Sequence, residues 1–443
     1  MNPIIPFSPQ FDQSTLGKLI DTDPVVQRYR TLFALFDWTV LQPVARPSGP
    51  GRPAHPPSAY VKALLVRIGE HLSSTPRWRA YLLDHPLLVL ELGFRPFLDL
   101  NTSYGFDVAK TVPCVRHLND ILRHLDSRWL SDLFSQSVHA LQAEIPGLGE
   151  VVAYDVKHIY ANVKENNPRV HMKDRFCKER QPTGDPDGRV GVKRSSNQTQ
   201  PDGSKKEIKE YLWGYGSGVA AATVAGYGDV VIAERTLPFN EADVTHYLPL
   251  FLRSVLALDH FPIHITADAA LDFWYVYETV AHRQGLGAIP LNSHGHEEVP
   301  LDPDGTPRCS AGLRMHPTYQ FAHTNGYRAQ RFRCPLLFPA HTGQSCAHEQ
   351  FLKGKGCVKD RNLEKGGLMR LMLDRHSPLF HAVYDQRTSC ERINSQAKDF
   401  GIERPKARTM RSVRRLNTAI YITINAKALQ RARAINASLL TPL

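Results

Sequence analysis

Two short apolar runs, Val-Val-Ala-Tyr at 151–154 and Ile-His-Ile-Thr-Ala at 263–267, each stop on an aspartate, Asp155 and Asp268. Runs this short suit buried strands and fall below the usual length of a helix. In an open sheet covered by helices, the carboxyl ends of the strands border the ligand crevice. Two carboxylates there offer the hard oxygen donors that Mg²⁺ and Mn²⁺ prefer. The competing use of a strand-end aspartate is as a turn or helix cap.

The segments between these runs complete a pattern. Residues 211–225 and 229–236 have the composition of two strands joined at Gly226-Tyr227-Gly228. Asn240 or Asp243 is placed to cap a helix whose apolar residues continue to Leu258, a further helix is predicted over 273–283, and a strand over 288–291. The order strand, strand, strand, helix, strand, helix, strand indicates an α/β or mixed α+β fold. The basic segment from Lys173 through Lys193 and Arg194 to Lys205 and Lys206 has no clear periodicity and is predicted to be a loop.

Upstream of Pro146-Gly147-Leu148-Gly149 the texture is helical. After a Pro- and Gly-rich stretch at 43–57, Val61, Leu64, Leu65, Ile68 and Leu72 recur at helical spacing, with Ser58 as a candidate cap. Further helical segments lie at 78–83, 115–125 and 129–145, separated by prolines. At 443 residues the chain exceeds one ordinary core. We divide it into a helical region, 1–145, and a second region, 146–443, with an insertion at about 293–367. Beyond the insertion, 368–373 and 382–429 are largely helical.

A hydrophobic content of 42% with 22% charged residues excludes wholesale disorder. The 54 Lys and Arg against 43 Asp and Glu leave a formal charge of +11, which suits a polyanionic partner as well as a basic soluble enzyme. No run of about 18 apolar residues is present to span a bilayer. The first ten residues lack the order of a secretory signal, so a cytoplasmic location is expected.

Arg387, Glu391, Asn394 and Lys398 step by four, three and four, and so share one face of a helix. A carboxylate between two cations suits a phosphodiester site, with Glu391 completing a carboxylate trio and the cations holding phosphates. An i, i+4 ion pair on a solvated face is the plainer alternative. The tail carries Arg404, Lys406, Arg408, Arg411, Arg414, Arg415, Lys427, Arg431 and Arg433, opposed only by Glu403. It is expected to form a DNA track, of which Arg411, Arg414 and Arg415 are the candidate contacts. Cys309, Cys334, Cys346 and Cys357 are a candidate structural zinc set, with His316, His341 and His348 as substitutes, although no C-x-x-C pair is present. Asp272 is expected to cap the following helix and Trp274 to pack in the core or stack on an extruded base. Cys114, Cys177 and Cys390 are taken as free thiols.

The spacing of Tyr384, Arg387, Glu391 and Lys398, Y-(2)-R-(3)-E-(6)-K, resembles the signature of the insertion-sequence transposases of the DDE class, the type-4-like group. Residues 151–159 and 263–271 resemble the segments carrying that family's two aspartates. Pro238-Phe239-Asn240-Glu241-Ala242-Asp243 is similar to the P-A-N-x-x-D stretch between them, and 60–94 with 115–125 look like the helical N-terminal domain. The resemblance implies a ribonuclease H-like catalytic core with a helical N-terminal domain for DNA binding or assembly, and an insertion before the last catalytic helix. It implies that Asp155, Asp268 and Glu391 are catalytic and hold two Mg²⁺ or Mn²⁺ ions, and that Tyr384, Arg387 and Lys398 contact phosphates at the transposon end. Asn394 shares their stripe and is counted with them.

The implied activity is cleavage at terminal inverted repeats and joining to target DNA by a dimer or higher oligomer on double-stranded DNA, in the nucleoid. A nuclease of the same fold, or a DNA-binding protein derived from a transposase, are the rival readings. Two departures stand beside Asp155: Lys157, where relatives often carry a small hydroxylic residue, and Tyr154, where an aliphatic is common.

Overall fold

The computed structural model describes residues 13–41, 54–199, 205–292 and 300–440, with side chains for all of these except 13, 14, 194–199, 205–207 and 440. Expectations for the first ten residues, for most of the stretch 43–57, for the start of the insertion and for the side chains of Arg194, Lys205 and Lys206 lie outside this description.

The amino-terminal part is helical: α1 (Gln13–Thr22), α2 (Pro24–Phe33), α3 (Pro57–Gly69), α4 (Thr75–Asp84), α5 (Pro86–Glu91), α6 (Val108–Thr111), α7 (Val115–His124) and α8 (Ser127–Glu144). Prolines open α2, α3, α4 and α5. In the first turn their missing N–H is one the helix has no use for. Asp23, Ser74, Asp107 and Asp126 cap α2, α4, α6 and α8 by accepting from main-chain N–H groups. Ser58 does not cap α3, which starts at Pro57 behind Pro56 with no side-chain cap.

The sheet is built from β1 (Val151–Tyr160), β2 (Arg189–Thr199), β3 (Lys205–Val224), β4 (Gly228–Pro238), β5 (His264–Ala267) and β6 (Gly287–Ala288). Helix α9 (Val244–Leu258) joins β4 to β5, and α10 (Trp274–Ala281) joins β5 to β6. β1 pairs antiparallel with β3 on one edge and parallel with β5 on the other; β3 pairs antiparallel with β4, and β5 parallel with β6. The order across the core is therefore β4-β3-β1-β5-β6, with β3 the reversed strand. Gly214 of β3 faces Tyr160 of β1 and Arg189 of β2, so those strands lie on opposite edges, and β2 extends the edge that β4 occupies further along.

Two expectations about the strands are corrected. The segment 189–199 with 205–214 is a paired ribbon, β2 with the first half of β3, where a loop was predicted. Val190 against Trp213 is a buried apolar pair at its base, and the next apolar pair, Val192 against Tyr211, is exposed. Strand β1 does not end at Asp155 but runs on to Tyr160, because β3 keeps pairing with it as far as Gly214.

The insertion folds as a separate three-stranded antiparallel sheet, β7 (His316–Ala322), β8 (Arg328–Arg333) and β9 (Val358–Asn362), with α11 (Glu349–Leu352) before β9. The chain returns through α12 (Lys365–Met372), α13 (Pro378–Tyr384) and α14 (Thr388–Asp399) to the long α15 (Met410–Leu440). Gly366 lets α12 lie directly on α10: a Cβ there would stand 2.3 Å from Trp274 O and from Glu278 N. Asp272 does not cap α10. Its buried carboxylate accepts from Arg370 Nε and Nη2 of α12 at 2.9 and 2.6 Å, from Tyr277 Oη and from Asn292 N.

Helix α15 is the centre of the molecule. Its stretch from Ala419 to Leu429 is buried except at Lys427, and one continuous core joins its side chains to those of the amino-terminal helices and the sheet. A bulge at Ile232 breaks the β3–β4 ladder, Ala220 facing Ala233 and Ala221 facing Val231. Asn425 of α15 repairs it, accepting from Val231 N at 2.9 Å and donating to Val231 O at 2.8 Å. Among the described residues no helix is long and apolar enough to cross a membrane.

Candidate active site

The parallel register Val151–His264 through Tyr154–Ala267 places Asp155 and Asp268 one residue beyond the last paired positions of neighbouring strands. Both are half-buried. Asp155 Oδ2 accepts from Asn394 Nδ2 of α14 at 2.8 Å. Asp268 also caps the short turn at 269–271, accepting from Ala270 N at 3.0 Å. Burial, and then the charge of Asp268, push the Asp155 carboxyl above its ordinary range, opposed by the Val156 N–H and Arg387.

A third aspartate joins them that the sequence reading had assigned only to capping. Asp243 stands at the head of α9 with helical backbone angles, yet its side chain caps nothing. Burial and the charges of Asp268 and Asp155 push it up to about 6. Asp243 is the last residue of the stretch Pro238 to Asp243, which is similar to P-A-N-x-x-D, but nothing in that similarity gave it a role at the site.

Glu391 lies on the face of α14 that also carries Asn394, and its charge reaches Asp155. Its carboxylate is turned away onto Arg387, whose Nη2 donates at 2.6 Å, and 53% of its side-chain surface is exposed. The stretch 382–429, expected to be largely helical, is interrupted, since Tyr384 ends α13 and 385–387 form a 3₁₀ turn before α14. Tyr384 stacks on Phe380 at 5.6 Å, with the Arg387 guanidinium 5.7 Å from its ring. Lys398, a turn beyond Asn394, pairs with Glu403 at 3.5 Å.

The donor chemistry suits a divalent cation: oxygen ligands only, with the charge of Asp268 pushing up both Asp155 and Asp243. The side-chain positions do not complete the cage. Among the described residues no group of three or more His, Cys, Asp or Glu is close enough together to hold a metal ion.

Beside Asp155 opens a cleft of about 240 Å³, lined by Asp155, Lys157, His158, Tyr160, Lys193 and Asn394, with Val156, Leu212 and Glu403. His158 is held down to about 4 by burial and then by Lys193 and Lys157, so it is neutral at physiological pH.

The basic tail is not one exposed track. Arg415 is buried, and its Nη1 donates to the carbonyls of Leu122 and Arg123 at the end of α7, where a cation satisfies free helix carbonyls. It is not available to DNA. Arg411 and Arg414 remain on the surface, Arg414 donating to Thr236 O at 3.3 Å, while Arg433 pairs with Glu144. Of the candidate zinc set, Cys309, Cys334 and Cys357 are buried in the small core of the insertion with Cys346 against it, but they are not arranged as a metal centre. The polar neighbours of Cys357 are His348 Nδ1 at 3.6 Å and Ser310 Oγ at 3.9 Å. Trp274 is half-buried and meets Tyr327 edge-on.

No protein-family profile matches this chain, and no curated protein matches it in sequence. Among solved structures it shows a likeness to the piggyBac transposase synaptic complex with hairpin DNA, at 11% identity and a TM-score of 0.32, covering 98% of this chain and 82% of that one. A likeness that distant leaves the functional reading to the site itself.

Proposed function

We propose that this chain is a DNA transposase that cuts phosphodiester bonds at transposon ends and joins those ends to target DNA. One observation carries the reading: Asp155, within β1, and Asp268, at the end of β5, stand side by side just past the parallel pairing of their strands, and α14 lays Asn394 on Asp155 with Glu391 one turn away. The strand order β4-β3-β1-β5-β6 with β3 reversed supports a ribonuclease H-like core, which has no call on the helical region or the insertion for its acids.

Asp155, Asp268 and Glu391 would hold two divalent ions, which when bound supply an activated oxygen nucleophile and neutralise the leaving oxygen. The protein's own part is positioning. Asn394 orients the Asp155 carboxylate, Arg387 restrains Glu391, and Tyr384, Arg387 and Lys398 face the phosphates flanking the cut. Double-stranded DNA is the partner, bound by an oligomer.

The test uses a supercoiled plasmid carrying this gene with its native flanking DNA. Purified protein with Mg²⁺ should nick at the gene's borders and join the freed 3′ ends to a second plasmid. Asp155→Asn, Asp268→Asn and Glu391→Gln should each abolish both steps, and retention of cleavage by any of them would contradict the assignment. Cleavage without joining would reduce the reading to a nuclease.

A further inference from the structure

The cleft beside Asp155 holds two lysines, Lys157 and Lys193, that the catalytic reading does not use. Strand β1 continues past Asp155, and at about 3.3 Å per residue Lys157 stands roughly 7 Å further along the same face. Helix α14 keeps pace over it, with Asn394 at Asp155 and Lys398 next to Lys157. From the opposite wall β2 brings Lys193, its backbone paired with Glu210. Arg404 lies 3.9 Å from the ring of Tyr160 at the far end.

Two cations, Lys157 and Lys193, line this cleft, with Lys398 and Arg404 near its rim; of the carboxylates, Asp155 and Glu403 line it and Glu210 stands beside it, and Asp155 accepts from Asn394. Glu403 pairs with Lys398, and Glu210 accepts from Tyr160 Oη at 2.5 Å. Neither Lys157 nor Lys193 has an ion-pair partner among the described residues. Lys157 is half-buried, feels the charges of Glu403 and Asp155 as well as those of Lys398 and Lys193, and makes no direct ion pair, so its ammonium is left to meet an anion that enters the cleft. A volume of about 240 Å³ admits a phosphate group and its waters but no base pair.

We propose that this cleft is a phosphate-binding subsite in which Lys157 and Lys193 hold a backbone phosphate of the same DNA strand whose neighbouring phosphodiester lies at Asp155. The assignment rests on the transposase reading. It gives Lys157 a task of its own: the ammonium extends the grip on the strand along β1, and the backbone of the β2–β3 ribbon closes the other side. Neutral His158 and Leu212 line the wall between.

The experiment is the salt dependence of binding of a labelled single strand to the full chain in EDTA, read by fluorescence anisotropy. Each lost phosphate contact should flatten the log–log slope by about 0.7 for a single strand. Lys157→Gln and Lys193→Gln should each show this and the double variant about twice as much, whereas Lys157→Arg should restore the wild-type slope. Lys193 is exposed, so its variant carries the test even if Lys157→Gln folds poorly. Lys353→Gln on the insertion serves as the control and should leave the slope unaltered. Inorganic phosphate at millimolar concentration should fail to displace the strand; displacement would show a free-anion site instead. An unaltered slope in the double variant, with cleavage intact in the wild type, would overturn the subsite alone. A flattened slope with Asp155→Asn still cleaving would overturn the transposase reading alone.

Discussion

Replacing Asp243 by asparagine removes a carboxyl at the head of α9 that feels the charges of Asp268 and Asp155, while keeping the size of the side chain. Burial and the charges of Asp268 and Asp155 raise this carboxyl from 3.8 to about 6. That rise corresponds to roughly 3 kcal/mol lost when the group is ionised in the folded protein. A carboxyl with a raised folded pKa holds its proton more tightly in the folded than in the unfolded chain. Its contribution to stability is complete below about pH 4 and is lost as the pH climbs through about 6. Asparagine is neutral throughout, so Asp243→Asn should match the wild type near pH 4 and exceed its stability by up to about 3 kcal/mol near pH 8. Urea unfolding at a series of pH values reads the difference. If an ion is held among these aspartates, millimolar Mg²⁺ should stabilise the wild type more than the variant. A variant less stable than the wild type at pH 8, or a gain that does not vary with pH, would refute the reasoning by showing that the Asp243 charge has a favourable partner.

Three further substitutions probe the framework that holds the site. Arg370→Met strips the buried Asp272 carboxylate of its cation and should cost about 3–5 kcal/mol in urea unfolding. Asn425→Leu leaves the N–H and C=O of Val231 unpaired inside the core; a loss of about 2–4 kcal/mol is expected, and amide exchange at Val231 should accelerate. Gly366→Ala drives a methyl group against the backbone of α10 and should lower thermal stability by about 1–3 kcal/mol, detaching α12 before the sheet melts.

Much of the sheet was legible because β1, β4 and β5 are apolar runs of strand length, and their order around two helices leaves few topologies. The β2–β3 ribbon was not. Val192, Ile208 and Tyr211 are exposed, so no buried face imposes an alternation on the sequence, and the ladder rests on backbone pairing that composition does not report. The last helix misled for a different reason. Its arginines are conspicuous, but the run Ala419 to Ile422 is apolar on every side, the mark of a helix enclosed by other elements. The partner of Arg415 is the end of α7, some 290 positions away in sequence. Asp155 and Asp268 could be found from local pattern alone; Asp243 could not, because at a helix start an aspartate that caps and one that faces a site are written with the same letter.

The position of α15 also bears on how the molecule comes into being. Its residues fill the space between α8 and β4, so everything made earlier on the ribosome waits with open apolar surface until residues 410–440 have cleared the exit tunnel. Assembly of the sheet edge that carries Asp155 and Asp268 is thereby tied to completion of translation through that helix, and a transcript cut short before it should yield a product with exposed apolar surface.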